Sequence, residues 1–77
     1  MTKRRTRVTN QIKHLRAQSG QMTQAELAEK IGVTRQTVIA IEGGKYSPSL
    51  EMAFEIAHVL GRPLDEVFGF QTDTRGV

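Results

Sequence analysis

The sequence predicts one small all-α domain built from five short helices. Three observations lead to it. The chain has 77 residues, 38% hydrophobic but only 5% aromatic, so a compact core is possible and must be mostly aliphatic. Gly20, Gly32, Gly43–Gly44 and Gly61 divide it into pieces of helix length. Within those pieces apolar residues recur at i, i+3 and i+4, the spacing that gathers them on one side of a helix.

Residues 1–7, "MTKRRTR", carry four cations and no apolar periodicity, and read as a flexible basic arm. Residues 8–70 read as the folded domain and 71–77 as a tail. The first helix is expected from about Asn10 to Ser19, with Ile12, Leu15 and Arg16 on one face and Gly20 as its stop. The second begins at Thr23. Glu26 follows three residues later, which makes a capping box, and Ala25, Leu27, Ala28 and Ile31 lead to a stop at Gly32.

Gly32, Val33 and Thr34 form a tight connection. Thr34 can accept the orphan amide protons of the third helix, which runs to about Glu42. "KYSPS" is a turn, with Ser49 the favoured cap of the fourth helix and Ser47, followed by Pro48 in the first turn, the alternative. Leu50 to Leu60 is apolar except at Glu51, Glu55 and His58. The apolar arc spans roughly 220°, so this helix is expected to be central and covered on several sides. In the fifth helix Pro63 suits the first turn, Asp65 and Glu66 favour its positive end, and Leu64, Val67 and Phe68 supply its apolar face.

The net charge of +3 is unevenly spread. Residues 1–45 hold nine Lys/Arg against three acids, and residues 46–77 hold two against five. The first half would draw polyanions and the second would not. The chain has no cysteine, which excludes disulfides and thiolate metal sites. His14 and His58 have no acidic or histidine partner at ligand spacing, so no metal or cofactor is expected.

No paired carboxylates, nucleophile–base set or phosphate-cradling loop appears. "EGGK" lacks the spacing of a P-loop and follows a helix, so an enzyme is not expected. No apolar run has the length of a signal-peptide core, or the roughly 20 residues of a membrane span. A cytoplasmic protein without a membrane partner is therefore expected.

Leu27, Ala28, Ile31, Gly32, Val33, Val38 and Ile41 carry the functional reading. Two short helices cross steeply only where the contact is small and the turn is sharp. Ala28 is small at the crossing, Gly32 can take a positive φ, and the other five can hold the pair on a core. With threonines capping both helices, this is a helix-turn-helix pattern.

The stretch "MTQAELAEKIGVTRQTVIAIEGGKYSPSLEMAFEIAHVLGRPLDEVF" resembles the DNA-binding domain of the Cro and lambda-type repressor family, especially small stand-alone bacterial regulators. The similarity runs from about Ile12 to Phe68, and its most specific pieces are "TQAELAEKIGVTRQTVIAIE" and "YSPSLEMA". It implies that the third helix enters the major groove of double-stranded DNA with its N-terminal residues toward base edges. Arg35 and Gln36 match the family's main reading positions. Arginine can pair bidentately with guanine, and glutamine with adenine. Thr37 can reach a base or a phosphate, and Ala40 and Ile39 can offer methyl contacts to thymine. Gln24 matches a glutamine that bonds phosphate and braces the reading helix. Lys45 would meet the backbone, as would Lys13, Arg4, Arg5 and Arg7.

The resemblance also assigns Arg16 and Glu42 to an ion pair tying the first helix to the third. It implies a short antiparallel ribbon joining "RTRVT" to "FGFQT". The stretch "RAQSGQMTQ" is one residue longer than the family pattern, and Gly20–Gln21 would absorb the excess. Such regulators act as dimers, here expected through Leu64, Val67, Phe68 and Phe70. The alternative is that Leu64, Val67 and Phe68 simply close the monomer's own core. A repressor acting on a palindromic operator is therefore expected, with no small-molecule effector evident. The rival is an antitoxin-like or adaptor protein whose main task is to bind a protein partner.

Overall fold

The computed structural model describes residues 6–71. Met1 to Arg5, with most of the basic arm, and residues 72–77 of the tail lie outside them. The elements run β1 (Val8–Asn10), α1 (Ile12–Gln18), α2 (Gln24–Ile31), α3 (Arg35–Glu42), α4 (Leu50–Leu60), α5 (Leu64–Val67) and β2 (Phe68–Phe70). The fold is the expected five-helix arrangement, closed by the expected ribbon.

Each helix sends one fully buried side chain to the centre: Ile12, Leu27, Val38, Ile56 and Val67. Withdrawing a side chain of this size from water contributes about 1.5–3 kcal/mol. The core is aliphatic throughout, as the low aromatic content requires.

Helix starts follow the caps. Thr23 Oγ1 accepts the Glu26 amide at 3.0 Å while Glu26 Oε1 accepts the Thr23 amide at 2.8 Å. The Ser49 hydroxyl accepts the Met52 amide at 3.1 Å, which selects Ser49 over Ser47 as the cap of α4. α1 is shorter at both ends than its periodicity suggested, and Pro63 precedes α5 as its cap residue instead of lying in its first turn.

Two turns position the site. Gly32 ends α2 with φ +75°, and the Val33 amide returns to the Ala28 carbonyl at 2.9 Å, so the chain reverses within three residues. After α1 the chain turns at Gly20 and Gln21, both left-handed at φ +69° and +58°. The Met22 amide then bonds the Arg16 carbonyl at 3.0 Å. Gln21 has a side chain in that region, at a cost of about 1 kcal/mol.

The ribbon pairs Val8 with Phe70, Thr9 with Gly69 and Asn10 with Phe68. Two strands alone are marginal in water. Here the half-buried Phe68 packs against the helical core, and the Gln11 amide bonds the Val67 carbonyl at 2.9 Å.

α4 packs against α2 and α5 and is covered on several sides, as expected. It is not covered all round: Leu50 is 68% and Phe54 53% exposed. They lie four residues apart on one side of the helix, where α2 and the ribbon border them without covering them. Among the described residues no helix is long and apolar enough to cross a membrane.

Candidate nucleic-acid interface

α3 divides cleanly. Val38 and Ile41 are buried against α2 and the core, while Arg35, Gln36 and Ile39 face outward. Ile39 is 41% exposed although it is a large apolar residue. Thr37 and Ala40 are half-buried at the edges of this strip. The Thr34 hydroxyl accepts the Thr37 amide at 3.2 Å and lies 3.1 Å from the Thr37 hydroxyl. Thr37 therefore serves the cap of the helix as well as its surface.

Arg35 shares a shallow groove with Lys13, Gln21, Thr23 and Gln24. The N-terminal end of α2, which carries partial positive charge, opens onto it. Two cations, a helix terminus and polar side chains on one concave surface suit a phosphate backbone. Lys45 is exposed just past α3, where its amide bonds the Ala40 carbonyl at 3.0 Å.

Beneath this surface lies a polar brace. Arg16 Nε donates to Glu42 Oε2 at 2.7 Å and Nη2 to Glu42 Oε1 at 3.2 Å. Nη1 donates to the Met22 carbonyl at 2.7 Å. Gln24 Nε2 donates to Glu42 Oε1 at 3.0 Å. One glutamate at the end of α3 thus receives both α1 and α2. Within the described residues no buried side-chain polar atom lacks a partner.

Sequence reasoning missed Asn10, which it placed only at the start of the first helix. Its Nδ2 donates to the Ile41 carbonyl at 3.0 Å, across 31 residues of chain. No periodicity marks such a bond, since a polar residue before a helix reads simply as a cap.

The expected partner surface is only partly available. Val67 is 0% exposed and belongs to the monomer's own core, so it presents nothing to a second chain. Leu64 and Phe68 are half-buried and lean on that core. Phe70 is 64% exposed. Val8, Pro48, Leu50, Leu64, Phe68 and Phe70 line an apolar groove between the ribbon and α4.

Among titrating groups, the Glu26 carboxyl is held below the ordinary glutamate range. The backbone amide of Thr23 is the main cause, followed by the Thr23 hydroxyl and the nearby Lys30. No cluster of three or more His, Cys, Asp or Glu with metal-binding geometry occurs among the described residues.

A tight bend that sets one helix on the core and turns its polar start outward defines a helix-turn-helix domain. A family model described as helix-turn-helix matches residues 12–67. The chain belongs to the Cro/C1-type helix-turn-helix family of transcriptional regulators, a family of DNA-binding proteins and not of enzymes. It is 48% identical over 64 residues to an uncharacterized HTH-type transcriptional regulator of Methanocaldococcus jannaschii, spanning 83% of this chain and 96% of that one. It is 44% identical over 64 residues to the HTH-type regulator YgzD of Bacillus subtilis, with the same coverage of both chains. A candidate DNA-binding protein of Bacteroides fragilis, solved by crystallography, has the same fold with a TM-score of 0.73 at 29% identity. The alignment covers 80% of this chain and 98% of that one.

Proposed function

We propose that this chain is a sequence-specific transcription regulator that docks α3 in the major groove of double-stranded DNA and represses by occupying its operator. The observation that carries the reading is the two-sided α3. Val38 and Ile41 anchor it, and Arg35, Gln36 and Ile39 stand outward beside the Lys13–Gln24 groove. Arg35 reads guanine, Gln36 reads adenine, and Ile39 and Ala40 meet thymine methyl groups. Thr37, Gln24 and Lys45 hold the backbone and set register. The protein acts in the cytoplasm and requires no cofactor.

The operator is palindromic and the protein binds it as a two-fold dimer. The exposed Leu50, Phe54 and Phe70, with the edges of Leu64 and Phe68, supply the apolar surface for this contact. The same surface also suits the rival reading, a protein that chiefly binds another protein. Copurification of a different chain, with no DNA preference, would favour the rival.

Selection of bound sites from random duplex DNA at two salt concentrations tests the proposal. A dimeric reader yields an inverted repeat whose half-site centres lie about 34–36 Å apart or a multiple of that, with affinity falling steeply in salt. Recovery of no motif at either salt would overturn it.

A further inference from the structure

We propose that Asn10 is a positioning residue for the DNA-reading helix, through which the terminal ribbon fixes the angle of α3. This rests on the reading of α3 given above. Asn10 sits in β1 opposite Phe68 and spends both ends of its side-chain amide. Oδ1 accepts the Ile12 amide at 3.1 Å and so starts α1. Nδ2 donates to the Ile41 carbonyl at 3.0 Å, with the Glu42 carbonyl at 3.5 Å. The amide fits only this way round, because two carbonyls need a donor and an N–H needs an acceptor.

Three elements converge on the end of α3. Glu42 receives α1 through Arg16 and α2 through Gln24. Asn10 adds the ribbon, and it alone of the three side chains grips the backbone of α3. The helix has eight residues and is about 12 Å long. Tilting it by about 10° at one end moves the other by about 2 Å, more than a bidentate base contact tolerates. Release at Ile41 therefore reaches Arg35 and Gln36. The ribbon also carries Phe70, the exposed aromatic at the proposed dimer surface, so contact there and the pose of α3 are joined through one side chain.

Asn10→Ser tests this in the full chain. Serine still accepts the Ile12 amide in a local turn but does not span to α3. Asn10→Asp, which keeps the acceptor and loses the donor, is the second variant. Amide hydrogen exchange on the free protein is read at Gly43, Gly44 and Lys45, whose N–H groups close the end of α3. Faster exchange there, with α4 unchanged, is expected. Affinity for a selected duplex and for a scrambled one is then compared well below the melting temperature.

The specific-to-nonspecific ratio should fall roughly fivefold, the worth of one ordinary hydrogen bond, with nonspecific affinity held. Unchanged exchange in both variants overturns the proposal, and so does changed exchange with an intact ratio, which would leave Asn10 merely structural. If the unaltered protein prefers no duplex while the exchange effect appears, the reading of function itself fails, and the role of Asn10 in reading fails with it.

Discussion

Arg16 and Glu42 meet as a two-pronged pair, Nε to Oε2 at 2.7 Å and Nη2 to Oε1 at 3.2 Å, across 26 residues of sequence. Their side chains are only 12% and 9% exposed. Losing one partner strands the other charge out of water, at a cost of about 3–5 kcal/mol. Arg35 lies on the exposed strip, where truncation usually changes stability by less than about 0.5 kcal/mol. Arg16→Ala should melt well below Arg35→Ala. Equal melting temperatures would refute the division between brace and probe.

Lys45 is assigned to the backbone and not to bases. Lys45→Ala should weaken binding to all duplexes alike and lower the slope of log affinity against log salt by about one. Titrations of a selected and a scrambled duplex at several salt concentrations check it.

The apolar residues of the ribbon end and of the open side of α4 fall into two groups. Val67→Ala opens the core and should cost on the order of 2 kcal/mol in urea unfolding. Phe54→Ser removes an outward aromatic, so it should lower the sedimentation mass from two chains to one without damaging the monomer's core. A single-chain mass for the unaltered protein would refute the dimer.

Glu26 gives a pH signature. Its carboxyl titrates lower in the folded chain than in the unfolded one, chiefly because the Thr23 amide bonds the charged form. The folded state therefore gains stability above the ordinary glutamate range and loses it as pH falls through the depressed folded value. Glu26→Gln keeps the capping geometry and loses the charge. Thermal melts should separate the two proteins near neutrality and bring them together in acid.

Much of this was legible because caps and glycines are local signals. Thr23, Thr34 and Ser49 start helices where their side chains accept amides, and Gly32 turns the chain because a positive φ suits it. The outward strip of α3 followed from the 3.6-residue period once Val38 and Ile41 were placed inside. The open side of α4 was not legible, because a periodicity shows which residues are apolar and not what covers them. Leu50 and Phe54 belong to the same arc as Ile56, yet both stay more than half exposed in the monomer. Asn10 was illegible for another reason: its bond to Ile41 depends on how the ribbon crosses α3, which no short window of sequence contains.

The outward pair Arg35 and Gln36 is best tested by replacing both with alanine and measuring the ratio of specific to nonspecific DNA affinity at fixed salt. Each bidentate base contact discriminates by about 1–3 kcal/mol, so the ratio should drop by roughly thirtyfold or more while the melting temperature holds. A ratio unchanged by the double substitution in a folded protein would mean that this helix does not read bases.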